Sequence, residues 1–73
     1  MYQFFVPPEN IQGNRVVITG EDVNHIKNVL RMKTGDTFLV SLENKSHLCE
    51  LQEIREDVAV AHIVTENYQD TNL

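Results

Sequence analysis

The chain has 73 residues and carries 11 acidic side chains against six Lys and Arg, for a formal charge of −5. That length allows one small domain with a modest core and marginal stability on its own. The acidic balance argues against a general nucleic-acid binder. It leaves room for a local basic patch, because screening over roughly 8–10 Å keeps such a patch partly independent of distant acids. No stretch approaches the roughly 20 apolar residues of a membrane span. The opening residues, Met1 to Pro8, lack a basic leader and a long apolar run, so they do not read as a signal peptide. The single cysteine, Cys49, excludes an internal disulfide framework and suits a reducing cytoplasm.

Tyr2 to Val6 reads as a first strand, with Tyr2, Phe4 and Val6 on one face and Gln3 and Phe5 on the other. Pro7-Pro8 stops it, since neither residue can donate to a ladder. Glu9 to Asn14 reads as a loop. Arg15 to Thr19 is a short β-branched strand. From Thr19 to Asp36 the pattern turns helical. Thr19 is the expected N-cap, Glu21 and Asp22 suit the first turn, and Arg31 and Lys33 suit the last. Val23, Ile26, Val29 and Leu30 fall in one narrow arc that should face a core. Lys27 and Arg31 lie one turn apart on another arc, flanked by Asn24 and Asn28. Gly35-Asp36 is expected to end the helix.

Thr37 to Leu42 reads as the third strand, with Phe38, Val40 and Leu42 on one side. Glu43 to Ser46 reads as a hairpin loop. His47 to Ile54 is the fourth strand. Its apolar set of Leu48, Cys49, Leu51 and Ile54 breaks strict alternation, so the strand is either buried on both faces at one point or bulged. Arg55-Glu56-Asp57 is a turn. Val58 to Val64 is a fifth strand too uniformly apolar for its parity to be read, and the polar stretch from Thr65 to Leu73 reads as a linker or a frayed tail. Five short strands with one helix between the second and third suit a small, mostly antiparallel barrel plugged at one end by the helix, a mostly β (α+β) fold.

The chemistry-bearing residues give little for catalysis. His25, His47 and His62 are scattered, and no CxxC, HExxH or EF-hand spacing is present. The adjacent acids Glu21-Asp22 and Glu56-Asp57 read as helix-start and turn charge. Cys49, among apolar strand residues, reads as an inert small hydrophobe. The patch with chemistry suited to nucleic acid is Lys27, Arg31 and Lys33 with Asn24, Asn28 and His25: cations position phosphates, while amides and Arg read base edges or stack. The plainer reading is a solvated helix face.

The run Ile18-Thr19-Gly20-Glu21-Asp22-Val23-Asn24-His25-Ile26-Lys27-Asn28-Val29-Leu30-Arg31-Met32-Lys33-Thr34-Gly35-Asp36 resembles a signature of the ribosomal RNA small subunit methyltransferase E family. That signature has an acidic helix start, a histidine, then Val-Leu-Arg-Met and a Gly-Asp turn. Tyr2-Gln3-Phe4-Phe5-Val6 resembles the family's aromatic first strand, and Cys49-Glu50-Leu51 with the following strand also fits. The resemblance covers nearly all of the chain. It implies a PUA-like barrel over residues 1–66 that grips ribosomal RNA. Residues 67–73 would then begin a linker to a C-terminal, knotted SPOUT domain not present here. The family's SPOUT domain binds S-adenosylmethionine and methylates N3 of a uridine in 16S rRNA. The implied parent is a cytoplasmic, homodimeric enzyme acting on the small ribosomal subunit, without a membrane partner. The chain itself would hold no cofactor, metal or catalytic residue.

By the same resemblance, Arg31 sits at the motif arginine that would contact the RNA backbone, and His25 at the motif histidine. Lys27 and Asn28 occupy positions where members often place a basic residue, and Lys33 extends the patch. Gln3 stands where members commonly have an arginine, which removes one expected phosphate contact. Glu43-Asn44-Lys45 replaces a common Asp-Gly turn. The alternative is an acidic small-barrel module that docks on a protein or on its own second domain without touching RNA.

Overall fold

The structure, a computed structural model, describes residues 2–68. Six strands form one sheet: β1 (Gln3–Phe5), β2 (Ile11–Gln12), β3 (Arg15–Thr19), β4 (Thr37–Leu42), β5 (Lys45–Ile54) and β6 (Val58–Thr65). Between β3 and β4 runs one short helix, α1 (Glu21–Asn24), which continues as a π-helical segment, His25–Val29. The strand order is β1-β4-β5-β6-β3-β2, and the sheet curls into a half-barrel. All pairs are antiparallel except β1 with β4, where Gln3, Phe4 and Phe5 lie parallel to Leu39, Val40 and Ser41. The mostly β expectation with one helix before the long hairpin is met. A sixth strand is added where a loop was expected. A 3-10 turn over Pro8–Asn10 feeds Ile11–Gln12, which folds back on Arg15 and Val16. Gly13, with φ 60°, takes the first central position of that two-residue turn, a conformation open to glycine.

Alternation decides the core. Phe4, Val16, Ile18, Phe38, Val40, Cys49, Leu51, Ala59, Ala61 and Ile63 point inward from the strands, Val6 joins them just after β1, and Val23 and Ile26 close over them from the helix. Each fully buried large side chain contributes about 1.5–3 kcal/mol relative to exposure, so Phe38, Ile18, Ile26 and Leu51 weigh most here. The broken alternation of β5 resolves as a bulge. Leu51 pairs with Ala61 and Glu53 with Val60, leaving Gln52 as the extra residue. The bulge returns Ile54 to the inner face shared by Cys49 and Leu51, where it packs on the core. A matching shift opposite Leu48 and Cys49 leaves Val64 as the extra residue of β6, and Val64 is exposed.

The β4–β5 hairpin is tighter than the four-residue loop expected. Its turn is Glu43-Asn44, both with positive φ (50° and 64°), and β5 starts at Lys45. That is the two-residue, left-handed pattern matched to strand twist.

The helix departs most from expectation. Thr19 is not its cap: it belongs to β3, paired with Val58, and Gly20 takes the N-cap without a side-chain bond. The helix also stops at Val29. The Leu30 N–H donates to the His25 carbonyl at 2.8 Å and the Met32 N–H to Ile26 at 2.9 Å. Each bond spans more residues than the α pattern, so the closing turn is π-wide and a Schellman-like reversal follows. A wider turn advances less per residue, which swings Val29 off the apolar arc to 62% exposure while Val23 and Ile26 stay buried. Arg31 and Lys33 therefore lie beyond the helix. Gly35 does not end it but sits in the turn before β4, its N–H bonded to Leu51 at 2.8 Å.

Candidate nucleic-acid interface

The residues expected to bind RNA divide among three surroundings. His25 opens the π-helical segment and is half-buried. Its ring lies 4.9 Å from the Tyr2 ring with the planes tilted by 34°, and 6.4 Å from the Phe4 ring edge-on. Tyr2 and Phe4 are 4.6 Å apart, and Phe4 in turn meets Phe38 edge-on at 5.3 Å. An aromatic column thus runs from the core outward to Tyr2, which is 41% exposed.

Lys27 leans the other way. Its Nζ donates to the Glu56 carbonyl in the β5–β6 turn at 3.3 Å, which ties the helix to an acidic corner. Asn28 donates from Nδ2 to Asn24 Oδ1, one turn back. Arg31 and Lys33 are exposed and lie in the connection to β4. Arg31 holds φ 51° at the position after the helix C-cap. The Lys33 N–H donates to Asp36 Oδ2 at 2.8 Å, and the Asp36 N–H returns to the Lys33 carbonyl at 3.0 Å, closing a turn. So the shared Lys27–Arg31 helix arc does not form. In its place are an aromatic–amide surface on the helix and two cations on the loop that follows.

The other candidates take structural positions. Gln3 Nε2 donates to Ser46 Oγ at 3.1 Å. His47 Nδ1 accepts from the Asn67 N–H at 3.1 Å, and the Tyr68 N–H donates to the Ser46 carbonyl at 2.7 Å, so residues 67 and 68 still lie against β5. His62 Nε2 lies 3.9 Å from Glu50 Oε1. Burial pushes the Cys49 thiol up to about 11. Among the described residues no group of His, Cys, Asp and Glu could hold a metal ion. A cleft lined by Glu9, Asn10, Gln12, Arg15 and Val17, which sequence reasoning did not single out, measures about 260 Å³. That is under the ~300–1,000 Å³ of small-molecule pockets. No helix among the described residues is long and apolar enough to cross a membrane.

Comparison with curated proteins finds no match. Solved structures do match. A ribosomal RNA small subunit methyltransferase E from Neisseria gonorrhoeae, bound to S-adenosyl methionine, aligns with a TM-score of 0.73 and 28% identity, covering 97% of this chain and 29% of that one. A protein described as hypothetical aligns at 0.79 and 28% identity, covering 97% of this chain and 31% of that one. A predicted RNA methyltransferase from Thermotoga maritima aligns at 0.74 over 99% of this chain and 34% of that one; at 22% identity it shows the fold alone. The chain thus spans about a third of the length of the structures it matches. The RNA methyltransferase PUA domain model matches residues 18–64, from the end of β3 through the helix and the cationic loop to β6. With most of its length inside that match, the chain belongs to the RNA methyltransferase PUA domain family.

Proposed function

We propose that this chain is the ribosomal-RNA-gripping domain of an S-adenosylmethionine-dependent methyltransferase that modifies uridine N3 in 16S rRNA. It positions small-subunit rRNA for a SPOUT catalytic domain outside this chain, in a cytoplasmic, dimeric parent enzyme. The domain boundary, expected at residue 66, falls no earlier than residue 68, since residues 67 and 68 are still bonded to β5; residues 69–73 lie outside the described residues. The observation that carries this reading is the family match across residues 18–64, which contains His25, Lys27, Asn28, Arg31 and Lys33. Arg31 and Lys33 are exposed cations on the connection that follows the helix, and they serve the phosphates. Lys27, already bonded to its own chain, contributes less. S-adenosylmethionine is held by the catalytic domain, and calorimetry on this chain should show no specific heat of binding.

The test is a fluorescence-anisotropy titration of the chain with a small-subunit rRNA hairpin at fixed salt. Arg31→Ala should weaken binding by about five-fold, on the order of 1 kcal/mol for one phosphate contact, with the melting curve of the barrel retained. Unchanged affinity would remove Arg31 from the interface, and no binding by the wild-type chain would remove the RNA reading.

The second reading, a protein-docking module, is favoured by Phe5, a large aromatic 75% exposed on the outer sheet face. It is distinguished by chemical-shift mapping with the same hairpin. Shifts over residues 24–33 support RNA, and a silent spectrum supports docking.

A further inference from the structure

We propose that Tyr2 and His25 form a stacking platform for one unpaired nucleobase of the RNA, a site separate in chemistry from the phosphate contacts of Arg31 and Lys33. The inference rests on the RNA-gripping reading and deepens it. Tyr2 precedes β1 and is joined to the sheet by its own carbonyl, which accepts from the Leu39 N–H at 2.8 Å. Its ring packs against Phe4, which is 2% exposed, at 4.6 Å and against His25 at 4.9 Å. A 41% exposed tyrosine held by two other rings has lost most of its rotational freedom before any ligand arrives. A flat, pre-ordered, half-exposed π surface is what an unstacked base requires, since every base has a π face.

The surroundings match the same ligand. Neither ring nitrogen of His25 has a hydrogen-bond partner among the described residues, so its edge remains available while its face packs on Tyr2. Asn24 and Asn28, bonded to each other, flank His25 in sequence on the same short helix. With that bond made, the pair still has amide donors and a carbonyl acceptor, the groups that read base edges. Phe5 does not join this surface, because alternation sends it to the opposite face of β1. A duplex offers no open base face, so the platform selects single-stranded loops, bulges or ends over continuous helix.

The experiment uses the protein's lack of tryptophan and its two tyrosines, Tyr2 and Tyr68. In a Tyr68→Phe background the intrinsic emission reports Tyr2 alone. Titration with a small-subunit rRNA hairpin carrying an unpaired loop should quench that emission in a saturable way. Abasic substitution scanned through the loop should abolish the quench at one position and weaken binding by about ten-fold there, the scale of one base–aromatic stack. Tyr2→Ala should lose a similar factor, Tyr2→Phe should retain binding, and the abasic and Tyr2→Ala losses should not add. His25→Ala should weaken binding with the salt slope unchanged. If the wild-type chain binds the hairpin and Arg31→Ala weakens it, yet Tyr2 emission and the abasic scan are flat, the platform is overturned and the RNA reading stands. If the wild-type chain binds no RNA, both fall.

Discussion

Arg31 occupies the place after a helix where glycine is commonest, with φ at 51°. A left-handed conformation costs a side-chain-bearing residue about 1–2 kcal/mol. Arg31→Gly is therefore expected to leave urea stability unchanged or raise it by up to ~1 kcal/mol, while weakening RNA binding as Arg31→Ala does. A variant that is both more stable and weaker-binding would place the strain on the functional side of the balance. Phe38 is the opposite case, at 0% exposure near the start of β4. Phe38→Ala should cost about 3–5 kcal/mol in the same urea titration, enough to unfold a domain this small. Cys49 gives a pH signature. Burial raises its folded-state pKa from 9.0 to about 11, so the folded protein holds the thiol proton more tightly than the unfolded chain. Its contribution to stability is full below about pH 9 and is lost as pH rises toward about 11. Subtracting the stability–pH curve of Cys49→Val from that of the wild type should isolate this loss. Of these residues, the burial of Phe38 and Cys49 could be read from strand pattern. The φ of Arg31 could not, because nothing in Val29-Leu30-Arg31-Met32 announces that the helix has already ended.

At the scale of elements, most strands and the presence of one helix were legible, while the helix's cap, length and closing turn were not. Arg15–Thr19 and Thr37–Leu42 have the bounds that alternation and turn residues suggested. Local propensity and sheet packing agree there. The irregular apolar spacing of β5 carried real information, since Leu51 and Ile54 can share a face only if a residue between them is squeezed out of register. Ile11–Gln12 was hidden because two residues are too few to show a period. The helix misled because a heptad-like arc assumes α geometry throughout, and one π turn is invisible to that assumption. The β4–β5 turn offers a direct check on the strand side. Glu43 and Asn44 both hold positive φ, so replacing the pair with Asn-Gly should stabilise the domain by about 0.5–1 kcal/mol in chemical denaturation. A loss of stability instead would mean that Glu43 makes a contact that outweighs its backbone preference.

Across the whole molecule, the charge of −5 and the placement of the cations set the ionic response. The two phosphate contacts proposed for Arg31 and Lys33, at about 0.7 each for a single strand, predict a slope of about −1.4 for log affinity against log salt. A slope twice as steep would bring Arg15, Lys45 or Arg55 into the interface. The strand order has a different consequence, for the timing of synthesis. In β1-β4-β5-β6-β3-β2 the two earliest strands made, β1 and β2, are the outermost, and β3 finds its long partner only in β6. Until residues 58–65 are in place, β3 can pair only with the two-residue β2, whereas β1 already has its partner in β4. Chains arrested before β6 clears the exit tunnel should be cut rapidly by a nonspecific protease. Chains arrested once β6 has emerged should resist it, with protection of β2 and β3 arriving in that step.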